Sequence, residues 1–264
     1  MKEISFGIDV GKRHDPTAIV VAVAEDRRKN NGWETHFVIP FLKRLELNTP
    51  YPQQAAMLVD IGLKALHQFF RAERVGEIRP PKVYVDVTGV GDALVDLLKK
   101  NDIRRVGSLR PCRFMAGDRF NDSGAEYTIG KAHFASRLQI LAESKRIHLP
   151  DIPEAQTLAE EMLDFDIDVD ETSGKATFGA IRPGTHDDLV CALGLACLID
   201  NPRTRSFKVP PVAAFNSNDF ENPGGAMGAL LNSPWGRAQG SFVMGRPFDQ
   251  AAFEADEAEA RRQV

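Results

Sequence analysis

With 264 residues, 43% hydrophobic and 27% charged, the chain can bury a real core as one sizeable globular domain plus an appendage. Its net charge of −4 does not announce a polyanion partner and does not exclude one, because basic residues can be placed locally. No apolar run reaches the length of a membrane span, and no signal peptide precedes the first strand-like pattern, so a soluble protein with no membrane partner is expected.

Ile4 to Val10 and Ala18 to Ala24 are β-branched runs separated by the polar turn Gly11 to Pro16, and Trp33 to Phe41 follows a hairpin-type turn at Asn30-Asn31-Gly32. Three consecutive strands with short connections predict an antiparallel meander. Pro52 to Arg74 reads as a helix with Ala56, Val59, Leu63, Leu66, Phe69 and Phe70 near helical spacing. Lys82 to Val87 is a strand, Asp92 to Lys100 a helix and Ile103 to Leu109 another strand, an alternation that predicts parallel additions to the meander. Ala132 to Ser144 and Glu154 to Leu163 are expected helices. Phe165 to Ile181 is an expected hairpin around Thr172-Ser173-Gly174-Lys175, and Thr185 opens a buried helix running to Ile199. Beyond residue 200 the prolines, Gly224-Gly225 and several Asn break all patterning. Residues 1–200 are therefore expected to form the domain and 201–264 a flexible tail, with a short acidic helix over Gln250 to Gln263. Cys112, Cys191 and Cys197 lack CxxC or zinc spacing and read as reduced, buried thiols of a cytosol-like compartment.

Three acidic positions sit where a strand ends or a buried helix begins: Asp9 in Gly7-Ile8-Asp9-Val10-Gly11, Asp86 in Val83-Tyr84-Val85-Asp86-Val87, and Asp187 with Asp188 in Thr185-His186-Asp187-Asp188-Leu189. A carboxylate in apolar surroundings is costly unless paired or metal-bound, and hard divalent cations prefer oxygen donors. Two such cations about 3.5–4 Å apart activate water and steady the leaving oxygen of a phosphodiester. Each acid also has a plainer reading. Asp9 could be a turn residue, Asp86 could cap the turn Thr88 to Gly91, and Asp187 or Asp188 could complement a helix dipole. His14, His133 and His186 could assist proton transfer or make ordinary hydrogen bonds. The excess of Lys and Arg between Lys99 and Arg119 suits phosphate contacts or a solvated face.

Gly7-Ile8-Asp9 with Asp15-Pro16-Thr17-Ala18, Val85-Asp86 with Thr88-Gly89-Val90-Gly91, Lys131 with Leu138, Leu141 and Arg146-Ile147, and His186-Asp187-Asp188-Leu189-Val190 with Ala192-Leu193 together resemble the nuclease domain of phage terminase large subunits, relatives of RuvC-type resolvases. The resemblance covers roughly residues 4–200. It implies a ribonuclease H-like α/β fold, a mixed sheet flanked by helices. It also implies an endonuclease that cuts concatemeric viral double-stranded DNA during packaging in the bacterial cytoplasm. By the same resemblance Asp9, Asp86, Asp187 and Asp188 hold two Mg²⁺ or Mn²⁺ ions, with Asp188 favoured over Asp187 as the nearer ligand. Asp15 supports the metal or the attacking water, and Lys131 approaches the phosphate or the acids. Cys191 stands where relatives often carry a further acid. No G-x-x-x-x-G-K-[ST] pattern occurs, so a packaging ATPase is implied as another domain or chain, with portal and small terminase subunit as further partners.

Two rival readings remain. Asp9-Val10-Gly11 after a strand also suits an actin-like or sugar-kinase-type phosphotransferase, which leaves His186-Asp187-Asp188 unexplained. A non-catalytic DNA-binding module of the same fold is the other.

Overall fold

The computed structural model describes residues 2–11, 15–30, 32–72, 80–89, 91–169, 176–180 and 186–199. Strand β1 (Lys2–Asp9) pairs antiparallel with β2 (Ala18–Lys29), which pairs antiparallel with β3 (Gly32–Arg44). This is the expected meander. Helix α1 (Tyr51–Ala72) leads to β4 (Lys82–Asp86), laid parallel against β1, and α2 (Gly91–Lys100) leads to β5 (Ser108–Met115), parallel to β4. A hairpin of β6 (Phe120–Asp122) and β7 (Tyr127–Gly130) continues the sheet, with β7 parallel to β5. Helix α3 (Lys131–Glu143) then carries the chain across to β8 (Ile147–His148), which pairs with β3 at the far edge. The resulting order is β6-β7-β5-β4-β1-β2-β3-β8, a mixed sheet of antiparallel and parallel strands. Helix α4 (Pro153–Asp164), a separate hairpin β9 (Phe165–Val169) and β10 (Ala176–Ala180), and α5 (Asp188–Ala196) complete the described chain.

Alternation along the strands sorts the core into two layers. Ile4, Phe6, Ile8, Ile19, Val21, Val83 and Val85 face α1 and α2. Ala18, Val20, Ala22, Phe37, Ile39 and Tyr84 face the layer of α3, α4 and α5. The second face is lined by small residues beneath α5, which lets that helix approach the sheet closely. Every residue of α5 is buried, as its continuous apolar sequence demands.

Several expectations need correction. Ile103 to Leu109 is not one strand: Ile103–Arg105 is a 3-10 turn and the strand starts at Ser108. Asp102, left-handed at φ 60°, ends the helical run. The turn buries Ile103 and Val106, while Arg104 and Arg105 stay outside. The last helix is shorter than expected, beginning at Asp188 rather than Thr185. Strands β6, β7 and β8 were not anticipated. The loop Thr172 to Lys175, Ile181, Thr185, His14 and the whole of 201–264 lie outside the described residues. All three cysteines are free and buried, as expected.

Helix α5 is anchored at its C-terminal end by Arg137 of α3, whose Nε and Nη2 donate to the Cys197 carbonyl at 3.3 and 2.7 Å. A cation at a helix C-terminus satisfies an orphan carbonyl and complements the dipole. Replacing Arg137 by Ala leaves a buried carbonyl without this donor. The expected cost is about 1–3 kcal/mol, read as a lower urea midpoint.

Candidate active site

Parallel pairing brings the C-terminal ends of β1 and β4 to one edge of the sheet. Ile8 pairs with Val85, so the next residues, Asp9 and Asp86, stand side by side on adjacent strands, whose spacing is about 4.8 Å. Both belong to the face covered by α5, Asp9 with Ser5 and Gly7, Asp86 with Tyr84. In the other direction Asp9 pairs with Ala18 and Ala18 with Arg44. A single row under α5 therefore reads Asp86, Asp9, Ala18, Arg44.

Arg44 reaches that face through a bulge. Between β2 and β3 the register shifts at Val21/Val23, opposite the stretch of β3 that holds Pro40. Proline has no N–H for the ladder, so a bulge there is physically natural. Phe37 and Ile39 face α5 before it, Phe41 turns away, and Leu42 faces α5 again. Without the extra residue Lys43 would occupy the inner face and Arg44 the outer one.

The start of α5 is set over this row by two contacts of β1. Ser5 Oγ donates to the Ala196 carbonyl at 2.6 Å, and a Cβ on Gly7 would lie 2.0 Å from the Ala192 oxygen. Four helical residues rise about 6 Å and two strand residues about 6.6 Å, so contacts at Ala196 and Ala192 place residue 188 over Asp9. The β1–β2 turn is held separately. Thr17 Oγ1 accepts from the Gly11 N–H at 3.0 Å and bonds Gln54 at 2.7 Å, while Gln54 donates to the Thr49 carbonyl.

The acids are not equivalent. Asp86 Oδ1 accepts the Thr88 N–H at 2.7 Å, so it does cap its turn, as one reading of the sequence allowed. Gly91 makes the tight turn possible, because a Cβ there would meet the Asp86 carbonyl oxygen at 2.0 Å. Asp187 is the N-cap residue of α5 by position, yet its side chain makes no capping hydrogen bond. Asp188 is 1% exposed and gripped by Arg44, Nε to Oδ2 at 2.6 Å and Nη2 to Oδ1 at 3.1 Å. Glu161 of α4, also buried, pairs with the same guanidinium. His186 Nδ1 stands at the rim, 3.6 Å from Asp15 and 3.8 Å from Asp188.

Electrostatics mark Asp9 as the centre. Burial, then Asp86, Asp187, Asp188 and Asp15 in that order, push its carboxyl well above the usual carboxylate range. Burial also raises Asp86, opposed by its bonds to Thr88, by a hydrogen bond shared with Asp9 and by the charge of Arg113. Asp187 is raised by burial and then by Asp188 and Asp15. Cys191 lies against the same group: burial first, then Asp9, Asp187, Asp86 and Asp188, drive its thiol far up. It therefore faces the acids as a neutral thiol.

Of the candidate residues, Asp9, Asp86, Asp187 and Asp188 are brought together. Asp15 lies at the exposed margin with His186. Lys131 opens α3 directly after β7, at the same sheet edge but two strands beyond β4. His133 stacks on Phe120, with ring centroids 5.5 Å apart. Within the basic segment Arg113 bonds Glu126, Asp92 and the Val87 carbonyl, Arg110 the Gly124 carbonyl, and Lys99 pairs with Asp96. Arg44 and Glu161 carried no signal in the sequence.

Hard oxygen donors with an excess of like charge suit a hard divalent cation, and the mutual repulsion that raises Asp9 is what such an ion would relieve. Among the described residues no three His, Cys, Asp or Glu side chains form a ready-made metal cage.

The sheet, an antiparallel meander extended by parallel strands and flanked by helices, has the arrangement expected from the sequence. No family model and no curated protein matches the chain. Among solved structures it is similar to the human cytomegalovirus terminase nuclease domain, Mn-soaked with inhibitor bound, at a TM-score of 0.41 and 10% identity over 73% of this chain and 81% of that one. The same viral domain, described without Mn or inhibitor, gives 0.40 and 12% over 76% and 85%. Thermus thermophilus RuvC gives 0.31 and 14% over 73% and 90%.

Proposed function

We propose that this chain is a metal-dependent endonuclease that hydrolyses DNA phosphodiester bonds by two-metal catalysis. The observation that carries the reading is the placement of Asp9 beside Asp86 at the strand ends, under the start of a helix that brings Asp187 and Asp188. Asp9, Asp86 and an α5 carboxylate, Asp187 or Asp188, would hold the ions, Mg²⁺ or Mn²⁺. When bound, the ions lower the pKa of water and neutralise charge on the attacking and leaving oxygens.

The remaining work belongs to the protein. Asp9, central and buried among the other acids, would serve as a carboxylate ligand. Asp86 keeps a fixed orientation through the Thr88 N–H. His186, between Asp15 and Asp188 at the open margin, can take or return a proton near the reacting phosphate. Lys131, on the same sheet edge, supplies positive charge for the DNA backbone. Cutting of concatemeric viral DNA, alongside a packaging ATPase, portal and small subunit, is the setting that the His186-Asp187-Asp188 and Gly7-Ile8-Asp9 resemblance supports.

The test is supercoiled plasmid incubated with Mn²⁺, comparing the wild type with Asp86→Ala. Wild type should yield nicked and linear forms, and the variant should lose at least ~100-fold in rate, beyond what loss of an outer-shell partner usually costs. Equal cleavage by both, or ATP turnover with intact plasmid, would sink the nuclease reading.

A further inference from the structure

The two neighbouring acids of α5 have different surroundings, and the difference is made by a residue from the far side of the meander. Both oxygens of Asp188 are taken by the fork of Arg44, and Arg44 is itself held by Glu161 of α4. Glu161 has its other oxygen, Oε2, buried without a partner, so its bond to Arg44 is what accounts for the placement of that acid. Ala18, directly between Asp9 and Arg44 in the row, is fully buried and small enough to leave room for the Asp188 carboxylate above it. Asp187 spends nothing on capping.

We propose that Arg44 is a positioning residue for the carboxylate centre: braced by Glu161, it clamps Asp188 as an internal anchor, so that Asp187 is the α5 carboxylate presented to Asp9, Asp86 and the metal. The proposal rests on the metal-dependent reading above and reverses the preference for Asp188 that the resemblance suggested. A bidentate guanidinium fixes the plane of the carboxylate it holds, which a single ammonium cannot do. Because α5 is buried on every side and stopped against Gly7, fixing one carboxylate at its first turn fixes the rotation of that turn. The bulge at Pro40 is the device that brings Arg44 to this face. Arg44 touches neither the reacting atoms nor the cation. It acts through Asp188.

The test is calorimetric titration of Mn²⁺ into the full chain without DNA, for the wild type, Arg44→Lys, Arg44→Ala, Asp188→Asn and the double variant Arg44→Lys/Asp188→Asn. Circular dichroism and melting accompany each titration. Arg44→Lys keeps the charge and should keep the fold, yet is expected to weaken Mn²⁺ about tenfold or more, the loss typical of an outer-shell partner. The double variant should bind no more weakly than the weaker single variant, because both changes break one contact. If Arg44→Ala does not fold, Arg44→Lys carries the test. An affinity for Arg44→Lys within about twofold of wild type, or losses that multiply in the double variant, would overturn the assignment while leaving the nuclease reading intact. No Mn²⁺ binding by the wild type would overturn the nuclease reading and the assignment with it.

Discussion

Asp9→Asn is expected to abolish Mn²⁺-dependent DNA cleavage and, in the same protein stripped of metal, to raise the melting temperature. The two effects have one origin. Asp9 is buried and ringed by Asp86, Asp187, Asp188 and Asp15, so the folded protein keeps its proton to a pH well above that at which the unfolded chain releases it, about 3.9. Across that window the folded state binds more protons than the unfolded one, and stability falls as pH rises. Asn has no proton to lose and removes this penalty, and each kcal/mol relieved should raise the melting temperature by about 2–4 °C in a domain of this size. The measurement is melting in EDTA at pH 5 and pH 8. The advantage of the variant should widen at the higher pH, although Asp86 and Asp187, shifted in the same direction, leave part of the slope in both proteins. Added Mn²⁺ should then invert the order, since on the proposed function the wild type binds the cation more tightly. A variant that melts below wild type in EDTA would show that Asp9 is paired rather than strained. Cleavage should fall by more than ~100-fold, because on the proposed function a direct ligand rather than its support is lost.

Gly7→Ala is expected to be the most damaging conservative change in the core. The added Cβ would stand 2.0 Å from the Ala192 oxygen and 2.4 Å from the Ala196 nitrogen, both backbone atoms that no rotamer change can move. Overpacking ordinarily costs about 1–3 kcal/mol, and a backbone-on-backbone clash belongs at or above the top of that range. A loss of ~3 kcal/mol would lower the melting temperature by roughly 6–12 °C. Relief by lifting α5 off β1 would carry Asp187 and Asp188 away from Asp9, so residual folded protein should also bind Mn²⁺ more weakly. Urea unfolding followed alongside Mn²⁺ titration separates the two losses. A Gly7→Ala protein as stable as wild type would mean that α5 does not rest on β1 as described.

The long elements were readable because their local patterns are strong. β1 to β4 are rich in β-branched and aromatic residues, and α1 and α2 have helical apolar spacing. β6 and β8 were invisible because strands of three and two residues carry no period, and β7, with four residues, hardly more. Ile103 to Leu109 misled because Ile103 and Val106 are β-branched, although a single 3-10 turn after the left-handed Asp102 buries them. In the site, Asp9 and Asp86 announced themselves as acids at the ends of apolar strands, where a charge needs a reason. Arg44 did not, since Lys43-Arg44 at the end of a strand looks like any solvated terminus. Glu161, inside a helix with Glu160 beside it, looked like surface.

The local order of apolar and acidic residues therefore determined the elements, the meander and which carboxylates lie at strand ends, because those depend on neighbours within a few positions. It also placed Gly7 where a helix could press on a strand without saying that one does. Only the tertiary structure decided that the Asp9 and Asp86 strands pair in parallel so that both acids meet at one edge, and that α5 descends onto Gly7 with its own acids over them. It alone decided, too, that a bulge at Pro40 turns Arg44 inward to take Asp188. Each of these is a question of register between segments far apart in the chain. A shift of one residue there exchanges the two faces of a strand while leaving its composition unchanged.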